Sequence, residues 1–364
     1  MFDRKPRRPE GPVLLDRVID SGARRVAVLG LHPRAGARLA LSALVTETQR
    51  RGLPVAVVSV PRVPPDSDII TADPVTRAEL PAGAFLATAE RAASSSEAEL
   101  TLVASTDIQT PLGGLSLYRV AREGAVDLYG PVDPDPLADV LGRLAELSGA
   151  TVFVEGSWER RSFAAPGVTD GIVLAVGAAY SATPGRSAAA VRYQVDTLAS
   201  PPCSSQARAA WAQAKAGRAP VLVDGKGTVQ GVLPEGLPDP TRALRTPDGS
   251  PVDTVLLPQG LHDGFLHSVV RLPFRCRLVV RDATRISVAP VYFKAWVKRK
   301  GSVEVVYPVR LLALATNPTN PAGPDADPVE FRRAVAEAVP ELPVHDVVLD
   351  EEGEPRRPVW KFWQ

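Results

Sequence analysis

Cysteine is almost missing from this chain. The two residues present, Cys203 and Cys276, stand far apart and make neither a disulfide framework nor a zinc site. Histidine is nearly as scarce: His32, His262, His267 and His345 are too scattered for a dedicated metal cage, and no metal site is expected. No run of about 18 uncharged apolar residues exists, so no membrane span is expected. An excess of either charge is lacking too. The 42 Lys and Arg against 41 Asp and Glu leave a net charge of +1, which argues against a nucleic-acid partner and against an acidic solvating role. The N-terminal MFDRKPRRPEG is basic but has no apolar core, so it does not read as a secretory signal, and a cytoplasmic protein is expected. A G-x-S-x-G elbow is missing, which opposes a Ser-His-Asp hydrolase. A D-x-H-x-x-G motif for ligating cobalamin is missing as well. What the chain has in quantity is proline, 36 residues, which fits rigid loops.

The stretch that organises the rest is RVAVLGLHPRAGARL, Arg25 to Leu39. Val26, Ala27, Val28 and Leu29 read as a buried strand. The chain then turns through Gly30 to Gly36 and enters an Ala/Leu-rich helix from Ala37. Strand, Gly-bounded loop and helix is the layout of a phosphate-binding loop, in which backbone N–H groups approach an anion at the positive end of the helix. The residues that complete that chemistry are replaced. Ala37 stands where a phosphate-gripping Lys belongs, and Arg38 where a magnesium-ligating Ser or Thr belongs. Arg34 or Arg38 can hold an anion by charge, but neither supplies a hydroxyl. The same stretch also fits an ordinary strand-to-helix turn of a doubly wound sheet. At most weak nucleotide or anion binding is expected, at Gly30, Arg34, Gly36, Ala37 and Arg38, and no tightly bound cofactor.

Strands continue at 54–60, 84–88, 100–104, 115–120, 125–129, 152–154 and 171–176, with helices at 37–51, 89–97 and 137–147. Leu115–Val120 and Ala125–Tyr129 read as a hairpin across Arg122-Glu123-Gly124. This alternation predicts an α/β fold: a P-loop-NTPase-like, mainly parallel sheet with helices on both faces, followed by a smaller C-terminal α/β domain. The expected segments are a tail and lead-in helix over 1–24, the first domain over 25–182, a helical connector over 183–219 broken at Pro201-Pro202, the second domain over 220–350, and a tail over 351–364. Ligands in such sheets bind beyond the carboxyl ends of strands. Two strand-end acids, Glu155 and Asp107, therefore join the candidate site; Glu155 stands where an NTPase keeps an acid for magnesium, with Asp107 beside it. The polar, proline-rich stretch 61–81, with Arg62, reads either as a switch loop near the phosphates or as a solvated connection. Asp224-Gly-Lys-Gly227 reads as a plain hairpin turn, and the basic cluster Lys294, Lys298 and Arg299 as a solvated helix face. Asp327, followed by Pro328, is an N-cap signal. Before it lies the turn Asn317-Pro-Thr-Asn320-Pro, in which the Asn amides replace the donors that proline removes. With Asp325, this rim reads as a tied turn or as an interaction surface.

Six ordered segments carry a resemblance: FLATAERA (85–92), TDIQTPLGGLSLYRV (106–120), YGP (129–131), VFVEGSWERRSFAAPGVTDGIVLAVGAAYS (152–181), RISVAPVYF (285–293) and LALATNPTNPAGPDADPVEF (312–331). Through them the chain resembles the smaller reactivase component that accompanies adenosylcobalamin-dependent lysine 5,6-aminomutase and related ornithine enzymes. The resemblance implies an accessory subunit, not catalytic by itself, that promotes exchange of inactivated cobalamin. Its partners would be an aminomutase, which holds the cobalamin, and a companion ATPase similar to a mismatch-repair clamp protein. Arg62, Asn317, Asn320 and Asp325 would be interaction residues. The family pattern has Lys and Thr where this chain has Ala37 and Arg38, and Asp where it has Glu155. The alternative is a nucleotide-dependent small-molecule ligase of the dethiobiotin-synthetase type, whose loop also has five residues between its glycines.

Overall fold

A computed structural model describes residues 13–32, 34–61, 76–181, 183–214, 217–233 and 243–348. The expected tails, the stretch around Arg62 and Pro33 lie outside these residues. The chain divides into two units. One takes the described residues up to Arg192 together with those from Arg310 onward, and the other is Tyr193–Val309.

The first unit is built on a nine-stranded sheet. Its strands are β1 (Arg25–Gly30), β2 (Val55–Ser59), β4 (Phe85–Ala89), β5 (Glu99–Thr110), β6 (Gly113–Arg122), β8 (Thr151–Ser157), β9 (Gly171–Gly177), β17 (Leu311–Asn317) and β18 (Val344–Asp346). They lie in the order β18-β17-β9-β1-β8-β2-β4-β6-β5. Every pairing from β18 to β4 is parallel, whereas β6 runs antiparallel to both β4 and β5. Helices α1 (Leu14–Ser21) and α2 (Ala37–Arg50) share a core with Val26, Val28, Val57, Phe153 and Val173. The alternate residues Ala27, Leu29, Val58 and Val154 are buried as well, so both faces of these strands are covered. That double burial is why the strands read as unbroken apolar runs. Helix α4 (Pro134–Ser148) lies against β2, β4 and β8.

Two expectations change here. Residues from Arg310 to Val348 do not belong to a separate C-terminal domain over 220–350: β17 pairs with β9 and β18 with β17, so both complete the first sheet. The second unit is thus an insertion, entered along the unbroken helix α5 (Pro184–Leu198). An apolar run such as LLALA does not encode which sheet it joins, because parallel pairing is set by partners distant in sequence. The hairpin also moves. It is β5 with β6, Thr110 opposite Gly113, whereas β7 (Gly124–Leu128) pairs antiparallel with β3 (Thr76–Leu80), part of the stretch expected as a loop. Only Glu123 separates β6 from β7, too little for a reversal, and Gly124 bends against the Ala98 backbone, where an added Cβ would stand at 3.1 Å.

The second unit holds a five-stranded sheet, β11-β10-β12-β14-β16, from β10 (Val221–Val223), β11 (Val229–Val232), β12 (Thr254–Leu257), β14 (Arg277–Val280) and β16 (Ser302–Val305). The three strands β12, β14 and β16 are parallel, and β10 is antiparallel to β11 and β12. The turn between β10 and β11 is the plain hairpin turn expected: the Asp224 carboxylate accepts from the N–H of Lys226 (2.8 Å) and of Thr228 (2.9 Å), which ties the Gly225-Lys226-Gly227 backbone to itself. Helix α8 (Pro290–Lys298) crosses between β14 and β16.

Candidate functional site

The parallel strands of the first unit end together at one edge of the sheet. Gly30, the last residue of β1, is in register with Ser157 of β8 on one side and Ala175 of β9 on the other. The chain leaves Gly30, closes a turn in which the Ala35 N–H donates to the His32 carbonyl (3.1 Å), and enters α2 at Ala37. Arg34 and Gly36 both take positive φ, 64° and 97°. Gly36 is required twice over: an added Cβ would stand 2.6 Å from the Asn317 Cβ. Gly177, at the end of β9, is similarly tight, with an added Cβ only 2.9 Å from the Ala35 Cα. The His32 Nε2 lies 3.1 Å from the Gly177 carbonyl oxygen and donates to it when that nitrogen carries the proton. The loop is therefore clamped onto the ends of β9 and β17.

The structure thus brings Asn317, expected on the rim of another domain, directly against the loop. Asn317 is buried, and its Oδ1 accepts from the Thr319 N–H (3.1 Å) and hydroxyl (2.7 Å), tying the turn as expected. Asn320 and Asp325 close the next part: the Asn320 N–H donates to the Asp325 carboxylate (2.7 Å), and the Asn320 Oδ1 accepts from the Ala322 N–H (3.2 Å). Asp327 caps α9 (Pro328–Ala338) through the Glu330 N–H (2.8 Å).

Ala37 is buried in the core shared by α1 and α2, so its methyl group fills space and offers no charge. Arg34 is exposed and Arg38 half-buried. The first turn of α2 leaves backbone N–H groups without intrahelical partners, the feature that lets such an end meet an anion. Beside it, the Ser157 hydroxyl, level with Gly30, is buried without a hydrogen-bond partner among the described residues.

Glu155 does not end its strand. β8 continues to Ser157, and Glu155 lies level with Val28, two residues below the Gly30 rim. Its carboxylate is buried, with Oε2 2.9 Å from the Ser59 hydroxyl and 3.1 Å from that of Thr76; the two hydroxyls are 2.8 Å apart. Two hydroxyl protons therefore serve three short oxygen contacts, and the carboxylate is held in place by its own chain. Asp107 is nowhere near it. It sits exposed within the antiparallel edge strand β5, four strand spacings from β8, or about 19 Å. The expectation failed because β5 runs on to Thr110 as one arm of a hairpin, so 105–107 is mid-strand rather than a carboxyl end.

Sequence reasoning missed Ser59, Thr76, His32 and Gly177. Ser59 ends β2 one residue before the apolar Val60, and its polar side chain in a VAVVSV run is the only local signal it offered. No helix among the described residues is long and apolar enough to cross a membrane. Comparison of the chain with protein-family models, with curated proteins and with solved structures finds no match.

Proposed function

We propose that this chain is a non-catalytic accessory subunit of an adenosylcobalamin-dependent aminomutase system, built on a P-loop-like scaffold whose nucleotide equipment has been replaced. In this reading it promotes exchange of damaged cofactor held by the aminomutase, together with a companion ATPase. One observation supports it above the others. Two segments that carry the resemblance, although distant in sequence, meet at the loop: Asn317 of the 312–331 segment packs on Gly36, and Gly177 of the 152–181 segment packs on Ala35 and takes the His32 contact. A third, the YGP segment, joins the 152–181 segment below the loop, where the Gly130 N–H donates to the Ser59 carbonyl (2.8 Å) beside the Glu155 cluster.

The same geometry speaks against a ligase of the dethiobiotin-synthetase type. The five-residue spacing between Gly30 and Gly36 is shared with that class, but the buried Ala37 methyl provides neither the charge nor the reach of a lysine, and Arg38 brings no oxygen ligand for magnesium. The loop's own affinity for Mg·ATP or Mg·GTP is expected to be weaker than about 100 μM. Calorimetry with and without magnesium checks this. A magnesium-dependent site of low-micromolar affinity that is weakened by Arg34→Gly, or steady phosphate release from ATP, would restore the ligase or NTPase reading.

A further inference from the structure

The second unit carries a charge imbalance that the whole-chain balance conceals. Tyr193–Val309 contains fifteen Lys and Arg against nine Asp and Glu, while the chain as a whole is at +1. Part of the excess converges on one cavity of about 410 Å³, lined by Phe274, Arg275, Trp296, Lys298, Arg299 and Lys300. The basic cluster Lys294, Lys298 and Arg299 is the exposed helix face that the sequence suggests. Lys298 and Arg299, with the exposed Lys300, also line one open concavity with the exposed Arg275 of the 273–275 segment. Among the described residues no carboxylate lies within ion-pair distance of any of these four cations.

The wall is rigid. Trp296 is buried and donates its Nε1–H to the Ser302 carbonyl (3.1 Å). Gly301 lies so close to the Trp296 indole that an added Cβ would overlap the ring, and its N–H donates back to the Trp296 carbonyl (3.0 Å). Lys300 takes a φ of 59°, the left-handed conformation that closes the end of α8, with its N–H donating to the Val297 carbonyl (2.8 Å). The Arg299 guanidinium donates to the Leu272 carbonyl (3.0 Å), joining the two walls. Phe274 is half-buried, with the Arg245 guanidinium 5.7 Å from its ring centroid.

From this arrangement we propose that the cavity binds the phosphate chain of a polyphosphate-bearing small molecule. Four exposed cations from two walls, without a carboxylate at ion-pair distance among the described residues, match a compact group with several negative charges, and guanidinium and ammonium donors both suit phosphate oxygens. The volume falls in the range of small-molecule sites, about 300–1,000 Å³. A duplex would need cations spread along an extended surface, and here they crowd round one cavity. Among the described residues the lining offers cations and no carboxylate, so the site would recognise the phosphate oxygens through charged N–H donors. This site is independent of the loop at Gly30–Arg38 and of the aminomutase reading.

The test is calorimetry on the full chain in EDTA and about 50 mM salt, with inorganic triphosphate and ATP as separate probes. Each is expected to bind 1:1 with a dissociation constant of about 10–100 μM, weakening as salt rises. Equal affinities would mark the phosphate chain itself as the recognised group; tighter ATP would add a contact from the nucleoside. Arg275→Ala with Lys298→Ala should weaken either probe by at least about tenfold. Lys300→Gly removes a cation while relieving its positive φ, so it should weaken binding without lowering the thermal midpoint. Arg34→Gly, on the other unit, should change nothing. The proposal is overturned if neither probe binds below about 1 mM, if the cavity variants bind like wild type, or if Arg34→Gly is the variant that loses binding. It is overturned also if a DNA duplex, and not triphosphate, shows the same dependence on Arg275 and Lys298.

Discussion

Replacing Gly36 by alanine tests how the loop is held. The substitution carries two costs that the structure separates. At φ 97° an L-residue adopts a left-handed conformation, which costs about 1–2 kcal/mol. The new Cβ would also stand 2.6 Å from the Asn317 Cβ and 3.1 Å from its Nδ2, far inside contact distance, and overpacking of this kind costs about 1–3 kcal/mol. Together, Gly36→Ala should destabilise the first unit by about 2–5 kcal/mol. The nearest obstacle is a Cβ, so Asn317→Ala leaves it in place and should not rescue, whereas Asn317→Gly removes it. Asn317→Gly alone loses the two hydrogen bonds to Thr319, about 1 kcal/mol each. Combined with Gly36→Ala, it should recover the clash but not the backbone cost, a coupling of about 1–3 kcal/mol. Urea unfolding followed by circular dichroism measures all four proteins, provided their slopes agree. The reasoning fails if Gly36→Ala stays within about 0.5 kcal/mol of wild type, or if Asn317→Ala rescues as well as Asn317→Gly.

Three further outcomes follow from the same structure. Asp170 joins the starts of β1 and β9. Burial alone would raise its carboxyl, but the Arg25 guanidinium and the backbone N–H groups of Arg25 and Arg24 outweigh it and hold the group below the usual 3.8. A carboxyl lowered on folding contributes stability that is full above its unfolded value and lost as pH falls through its folded value. Asp170→Asn should therefore cost about 1 kcal/mol near pH 7, after allowing for solvent screening. The difference from wild type should shrink below about pH 4; a difference that grows on acidification would contradict the pairing. Cys276 is pushed up to about 12, mainly by burial and then by the nearby Asp253 charge, so iodoacetamide at pH 8 should label it only after unfolding. Labelling of the folded protein at the rate of a free thiol would refute its burial. Ending the chain after Val309 removes β17 and β18 from beside β9 and strips Ala313, Leu314 and Ala315 from the core; the remaining first unit should lose its cooperative unfolding transition. A soluble fragment with a sharp transition would show that 310–348 is dispensable to that sheet.

Local pattern carried much of the first unit. Val26–Leu29, Val55–Val58 and Ile172–Val176 are buried on both faces, and runs of that kind stand out without a partner in view. The N-cap at Asp327 and the Gly-bounded turn before α2 were likewise legible, since each depends on residues within one turn of chain. What sequence did not show were partnerships between distant segments. Nothing in LLALATN announces that its last residue will press on Gly36, and nothing in Thr106-Asp107 separates a strand end from the arm of a long hairpin. Glu155 was found by type and approximate place; its true depth, and the Ser59 and Thr76 hydroxyls that hold it, came from the register of three parallel strands. The cations of the second unit were visible singly, but the cavity they share depends on how 273–275 folds against the end of α8.

The most direct measurement of the central proposal is reactivation. An aminomutase of the lysine or ornithine type, inactivated during turnover, is mixed with adenosylcobalamin, the companion ATPase and this chain, either wild type or Asn320→Ala. Asn320 and Asp325 lie on the partly exposed turn beyond β17, where Asn320 accepts one hydrogen bond from Ala322, so the variant should keep a thermal midpoint near wild type. The expected result is recovery of activity only when wild-type chain is present, with recovery or aminomutase pull-down reduced in the variant. Recovery at the same rate with the chain omitted, and no complex with either partner, would contradict the account.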